Sequence, residues 1–217
     1  MKTIPMIFNQ EMVQALVDGR KTVTRRPVEA WRLPVKCTYQ DESRPAERTY
    51  MSNANNHRRW GFGVFGETPE AAMENYNGEY SSCAPYNKGD LIWVRETLEI
   101  NCYLDAFYLV DNEVLDLENR DWQYREPEYI GKIPSIHMPR WASRLTLRVT
   151  NVRCERIHQM TKMDAIDEGF DLSNLLGFPR LWFRDVWNSL YSNWDENPWV
   201  WVIEFEVIKS NVDEVTK

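Results

Sequence analysis

Residues 198–208, PWVWVIEFEVI, are β-branched or aromatic almost throughout, and Glu204 and Glu206 are the only charges among them. A run this branched favours extended backbone over helix and must be sheltered inside a sheet. Trp199 and Trp201 alternate with Val200 and Val202, so one pair is expected to face the core. The fold must therefore be built around long strands.

Other segments fit that frame. SRLTLRVTNVRCERI (143–157) reads as a second long strand with Leu145, Leu147 and Val149 on one face, KGDLIWVRET (88–97) as a turn and a buried strand over Leu91–Arg95, and DAFYLV (105–110) as a shorter one. NQEMVQALVD (9–18) carries a short amphipathic stripe at Met12, Val13, Leu16 and Val17, with Asn9 as N-cap and Gly19 as stop. Thr161 and Asp164 form a near capping box for a helix that ends at Gly169. FPRLWFRDVWNSLY (178–191) predicts a longer helix with Leu181, Trp182, Val186, Trp187 and Leu190 toward the core. Strands joined without long crossovers and flanked by a few helices point to an α+β chain, a small mixed β-barrel with peripheral helices in one domain over 1–217. Periodicity vanishes between residues 28 and 88, which reads as a long irregular insertion.

Bulk properties exclude several classes. The 217 residues carry a net charge of −7, which argues against coating long nucleic acid by charge alone. No apolar run approaches the roughly 20 residues of a membrane span, and the polar start MKTIPMIFNQEM does not read as a signal peptide, so a cytoplasmic protein without membrane contact is expected. Cys37, Cys83, Cys102 and Cys154 lack metal-ligand spacing, and GFGVFG (61–66) lacks the flanking strand and helix of a phosphate loop, so neither a metal nor a cofactor is expected. Ten Trp and ten Tyr, many beside Arg, suit base stacking and suit a packed barrel core equally. A local pocket for one nucleotide stays compatible with the acidity.

GRKTVTRR (19–26) concentrates four positive charges around two threonines. In an extended TVTRR, Thr22, Thr24 and Arg26 share one face while Val23 and Arg25 share the other. A threonine hydroxyl needs a base to become a nucleophile, and a lysine serves once burial and neighbouring cations lower its pKa from about 10.4. Lys21 and Thr24 supply those two groups at one helix–strand junction. A solvated basic hairpin is the alternative.

GRKTVTRR together with KGDLIWVRET, PSIHMPRWASR, MTKMDAIDEGF and WVIEFEV resembles the ASCH domain, a PUA-like β-barrel family associated with RNA, and in particular its phage and prophage members. The resemblance runs from residue 6 to 208, with 28–85 matching poorly. Compact members that hydrolyse N4-acetylcytidine to cytidine and acetate share the pattern GRKTxTxR and use a lysine, a threonine and a glutamate. The resemblance implies Lys21 as base, Thr24 as nucleophile and Glu168 as acid or orienting group, with Asp167 taking that place if the helix register slips by one. Arg26, Arg95, Glu96, Arg140 and Trp141 are the expected substrate-binding residues, with Glu96 a second candidate acid, Trp141 a stacking platform or a barrel plug, and Arg140 or Arg144 a phosphate contact. His137 lacks an evident partner. The expected partner is a modified nucleoside or RNA, and a non-catalytic RNA-binding module or a ribonuclease are the other readings.

Overall fold

The computed structural model describes all residues except 38–47, 55–62, 78–83, 118–121, 125 and 174–176. In chain order the elements are β1 (Thr3–Ile7), α1 (Gln10–Val17), β2 (Val23–Pro27), β3 (Val35–Lys36), β4 (Tyr50–Asn53), β5 (Gly63–Gly66), α2 (Pro69–Glu74), β6 (Leu91–Arg95), β7 (Leu98–Ile100), β8 (Ala106–Tyr108), β9 (Val114–Leu115), β10 (Gly131–Ile133), β11 (Thr146–Arg156), α3 (Lys162–Asp167), α4 (Pro179–Tyr191), β12 (Trp199–Ile208) and α5 (Val212–Val215). The mixed α+β class is as expected.

The two long strands β11 and β12 pair antiparallel along their length and form the spine of a five-stranded sheet in the order β1-β6-β11-β12-β2, with β1 parallel to β6. Instead of one inward pair on β12, both faces are buried. Trp199, Trp201, Ile203 and Phe205 enter the main core with Met12, Val13 and Leu16 of α1, while Val200 and Val202 lie in a second core with Phe183 and Trp187 of α4. A strand covered on both faces needs apolar residues at every position, which explains the unbroken run.

The expected β-barrel is corrected: the described strands form three sheets and no closed barrel. Among the described residues no backbone ladder joins edge strands β1 and β2, yet the sheet brings them close enough for Arg26 Nη2 to donate to the Ile7 carbonyl at 2.8 Å. Arg26 also lies over the Phe8 ring, 5.1 Å from its centroid. Side chains thus bridge a gap that hydrogen-bonded strands would otherwise close.

The segment 28–88 is not irregular where it is described. β3, β4 and β5 form an antiparallel sheet, and α2, N-capped by Thr68, packs so tightly on β5 that a Cβ at Gly66 would lie 2.2 Å from the Ala72 nitrogen. Val64, Met73 and Tyr76 join the main core, Tyr76 meeting Trp201 edge-on at 5.2 Å. The Asn77 amide donates to the Cys154 carbonyl and accepts from the Cys154 N–H, reproducing a neighbouring strand along the part of β11 that β6 leaves uncovered. These strands span two to four residues each, too short for their alternation to register.

α4 also departs from expectation. Its buried stripe is Pro179, Phe183 and Trp187, while Leu181 and Leu190 are 47% and 53% exposed. A further sheet, β10-β7-β8-β9, has its own core with Trp122, Met138 and Ala142. No described helix is long and apolar enough to cross a membrane.

Candidate active site

α1 ends where Gly19 takes a positive φ, and the Arg20 and Lys21 N–H groups then both donate to the Ala15 carbonyl. That tight corner turns Lys21 inward before β2 begins. α3 ends opposite it with Glu168 as C-cap and Gly169 at φ +111°. A Cβ on Gly169 would sit 2.7 Å from Ala15 Cβ and 3.3 Å from Lys21 Cβ, so only glycine permits this approach of the two helix ends. The Thr22 N–H donates to the Asp167 carbonyl and locks the strand to the helix end.

Across this junction Lys21 Nζ donates to Glu168 Oε2 at 2.5 Å and to the Glu168 carbonyl at 2.9 Å. The side chains are 1% and 2% exposed, which makes the contact a desolvated one. Burial holds the Lys21 ammonium below its ordinary pKa, against the opposing pull of Glu168 and with help from Arg26 and Arg25. Two donated bonds occupy both hydrogens of a neutral amine, so its lone pair stays free for a third partner.

Arg25 comes from the opposite face of β2 and is fully buried. Its guanidinium reaches Glu168 at 3.3 Å, Glu155 at 2.9 Å and Asp164 at 2.9 Å. Glu168 thus has a basic side chain on each oxygen, and Arg25 stays beside it even when Lys21 is neutral. Arg153 ties Glu155, Asp164 and Glu204 into the same network.

Lys21, Thr24, Arg25, Arg26 and Glu168 line one cavity of about 530 Å³ in the gap between β1 and β2. Among the described residues no hydrogen bond joins the Thr24 hydroxyl to Lys21 or Glu168, although Thr24 is only 4% exposed. Phe8, Trp187 and Tyr191 form aromatic walls, with the Trp187 and Tyr191 rings 4.5 Å apart and the Tyr191 hydroxyl accepting from Arg26 Nη1 at 3.4 Å. Asp167 lies outside this cavity, in a polar pocket with Arg153, Asp164 and Glu204.

No family model, curated protein or solved structure matches the chain.

Four of the expected substrate-binding residues stand elsewhere. Glu96, 1% exposed, takes a two-pronged contact from Arg144 at 2.9 and 3.0 Å, and burial pushes its carboxyl up despite that partner. Arg140 is engaged by Asp213 and Thr3. Arg95 lies over Trp93 and donates to the Ile136 carbonyl, and Trp141 packs edge-on to Trp122 at 6.1 Å. The neighbouring Thr97 and Ser135 line the cavity in their place. These two hydroxyl residues carry neither charge nor ring and so give no signal in the sequence. Trp187 belongs to the helical stripe that reads as core, and Tyr191 follows the last member of that stripe, Leu190. No group of three or more His, Cys, Asp or Glu side chains among the described residues is placed to hold a metal ion.

Proposed function

We propose that the open rolled sheet is a PUA-like fold of the ASCH type and that the protein is an intracellular amidohydrolase removing an acyl group from an N4-acetylcytidine-like nucleoside. The observation that carries the reading is a desolvated Lys21–Glu168 contact in the same cavity as the Thr24 hydroxyl. Aromatic walls suit a flat base, and the cavity has room for a nucleoside.

In its neutral form, which burial favours, Lys21 takes the Thr24 proton as Thr24 Oγ1 bonds to the acyl carbon. Arg26 Nη1, weakly held by Tyr191, is positioned to donate to the developing oxyanion. Collapse breaks the bond between acyl carbon and N4, and the Lys21 ammonium returns its proton to the departing amine. Water then attacks the threonine ester, giving its proton through Lys21 to Thr24 Oγ1 and releasing the carboxylic acid. Glu168, held between Lys21 and Arg25, orients the amine and stabilises the transient ammonium.

Mass spectrometry of N4-acetylcytidine incubated with purified protein tests the reading. Wild type is expected to release cytidine, and Lys21→Ala and Thr24→Ala to lose about 100-fold or more of the rate while retaining the wild-type circular dichroism spectrum. Absence of turnover by wild type, or equal rates in wild type and Lys21→Ala, refutes it.

A further inference from the structure

The three-residue 3-10 turn Ser135–His137 is a ridge between two cavities. Ser135 lines the cavity that holds Lys21, while Ile136 and His137 line a second one of about 580 Å³ with Trp122, Tyr124 and Trp141. The second cavity is walled by rings at steep angles: Trp122 meets Trp141 at 87° and Tyr124 at 62°, and Tyr124 lies 5.3 Å from the His137 ring. Trp122 is buried at its floor, Tyr124 and Trp141 are half-buried, and His137 is exposed. None of the lining side chains among the described residues is acidic, and a planar uncharged ring finds aromatic walls plus the Gln123 amide and the His137 imidazole at its edge. Arg95 stands behind the ridge. Its Nη2 donates to the Ile136 carbonyl, its Nε has no hydrogen-bond partner, and none of the ion pairs among the described residues includes it.

We propose that the second cavity is a subsite for the base next to the one being deacylated, so that the substrate is a single-stranded oligoribonucleotide rather than a free nucleoside. The acylated base occupies the Lys21 cavity, its neighbour stacks on the Tyr124 ring, and the linking phosphate crosses the ridge, where the Arg95 guanidinium supplies a positive charge outside the ion pairs of the described residues. The identity of the first base rests on the amidohydrolase reading. The existence of the second subsite does not.

Binding is measured by quenching of tryptophan fluorescence with four probes: cytidine, the dinucleotides CpA and ApC, and a CpA analogue with an abasic second position. One dinucleotide orientation is expected to bind roughly 5- to 150-fold tighter than cytidine, the range of a single base–aromatic stack. The gain is expected to vanish with the abasic analogue and in Tyr124→Ala, and its salt dependence to fall in Arg95→Gln. His137→Ala, at an exposed position, repeats the test should Tyr124→Ala alter the thermal midpoint. Equal affinity for cytidine and both dinucleotides, including no detectable binding of any, overturns the proposal, as does a gain that survives removal of the second base. Since none of the probes carries an acyl group, a dinucleotide gain without N4-acetylcytidine turnover sinks only the amidohydrolase reading. Turnover without the gain sinks only the second subsite.

Discussion

Gly169→Ala should damage fold and site together, and the two contributions can be separated. The residue holds φ at +111°, where a side chain costs about 1–2 kcal/mol. Its new methyl would meet Ala15 Cβ at 2.7 Å and Lys21 Cβ at 3.3 Å, and overpacking of this kind costs about 1–3 kcal/mol. The sum is about 2–5 kcal/mol, which at about 2–4 °C per kcal/mol for a chain of this size lowers the thermal midpoint by roughly 4–20 °C. Ala15→Gly removes the nearer clash and by itself costs about 1 kcal/mol for glycine in a helix. Differential scanning calorimetry of wild type, both single variants and the double variant closes a cycle. The double variant should be more stable than the sum of the singles by about 1–3 kcal/mol, with the φ penalty left behind. An unchanged midpoint in Gly169→Ala, or strict additivity in the cycle, would refute the close approach of the helix ends.

Arg25→Lys cannot reach three carboxylates with one ammonium, so urea titration should show a loss of about 3–5 kcal/mol; wild-type stability would remove the buried network from the account. Lys21 bears on alkaline stability. Its folded pKa lies below the ordinary value of 10.5, so in the window between the two the unfolded chain holds a proton that the native protein has released. Stability therefore gains a rising contribution with pH across that window, and the urea midpoint of Lys21→Met should lack it; parallel profiles for the two proteins would contradict a depressed Lys21. Asn77→Ala deletes both hydrogen bonds to Cys154 and leaves a half-buried N–H unpaired, at a cost of about 1–3 kcal/mol by the same titration. A cost near zero would mean that β11 does not need that cover.

Local signals were the legible ones. β12, β11 and β6 follow from branched runs, α1 from its Asn9 cap and Gly19 stop, and α3 from the Thr161–Asp164 box, which the structure forms in both directions. Lys21 and Glu168 stand in the sequence as separate candidates 147 positions apart, and only the packing of α1 against the end of α3 brings them into contact. Strand alternation placed Arg25 away from Thr24, and the register agrees, with Thr24 opposite Ile203 and Arg25 opposite Val202. Alternation cannot show that an edge strand lets both faces reach a shared cavity. It also gives no sign that α3 and α4 bury the outer face, which is why Arg25 reads as solvated in sequence. The same limit explains Thr97 and Ser135, whose proximity to Lys21 depends on how far the sheet curls.

The Asn77 contact with Cys154 makes the 28–88 segment a guard for the main sheet. Without it, the outer half of β11 would present free N–H and C=O groups beside apolar side chains, a template on which a second copy could add a strand. Shortening the chain to a minimal sheet would thus exchange folding difficulty for self-association, held off at this strand by one carboxamide that imitates a peptide bond.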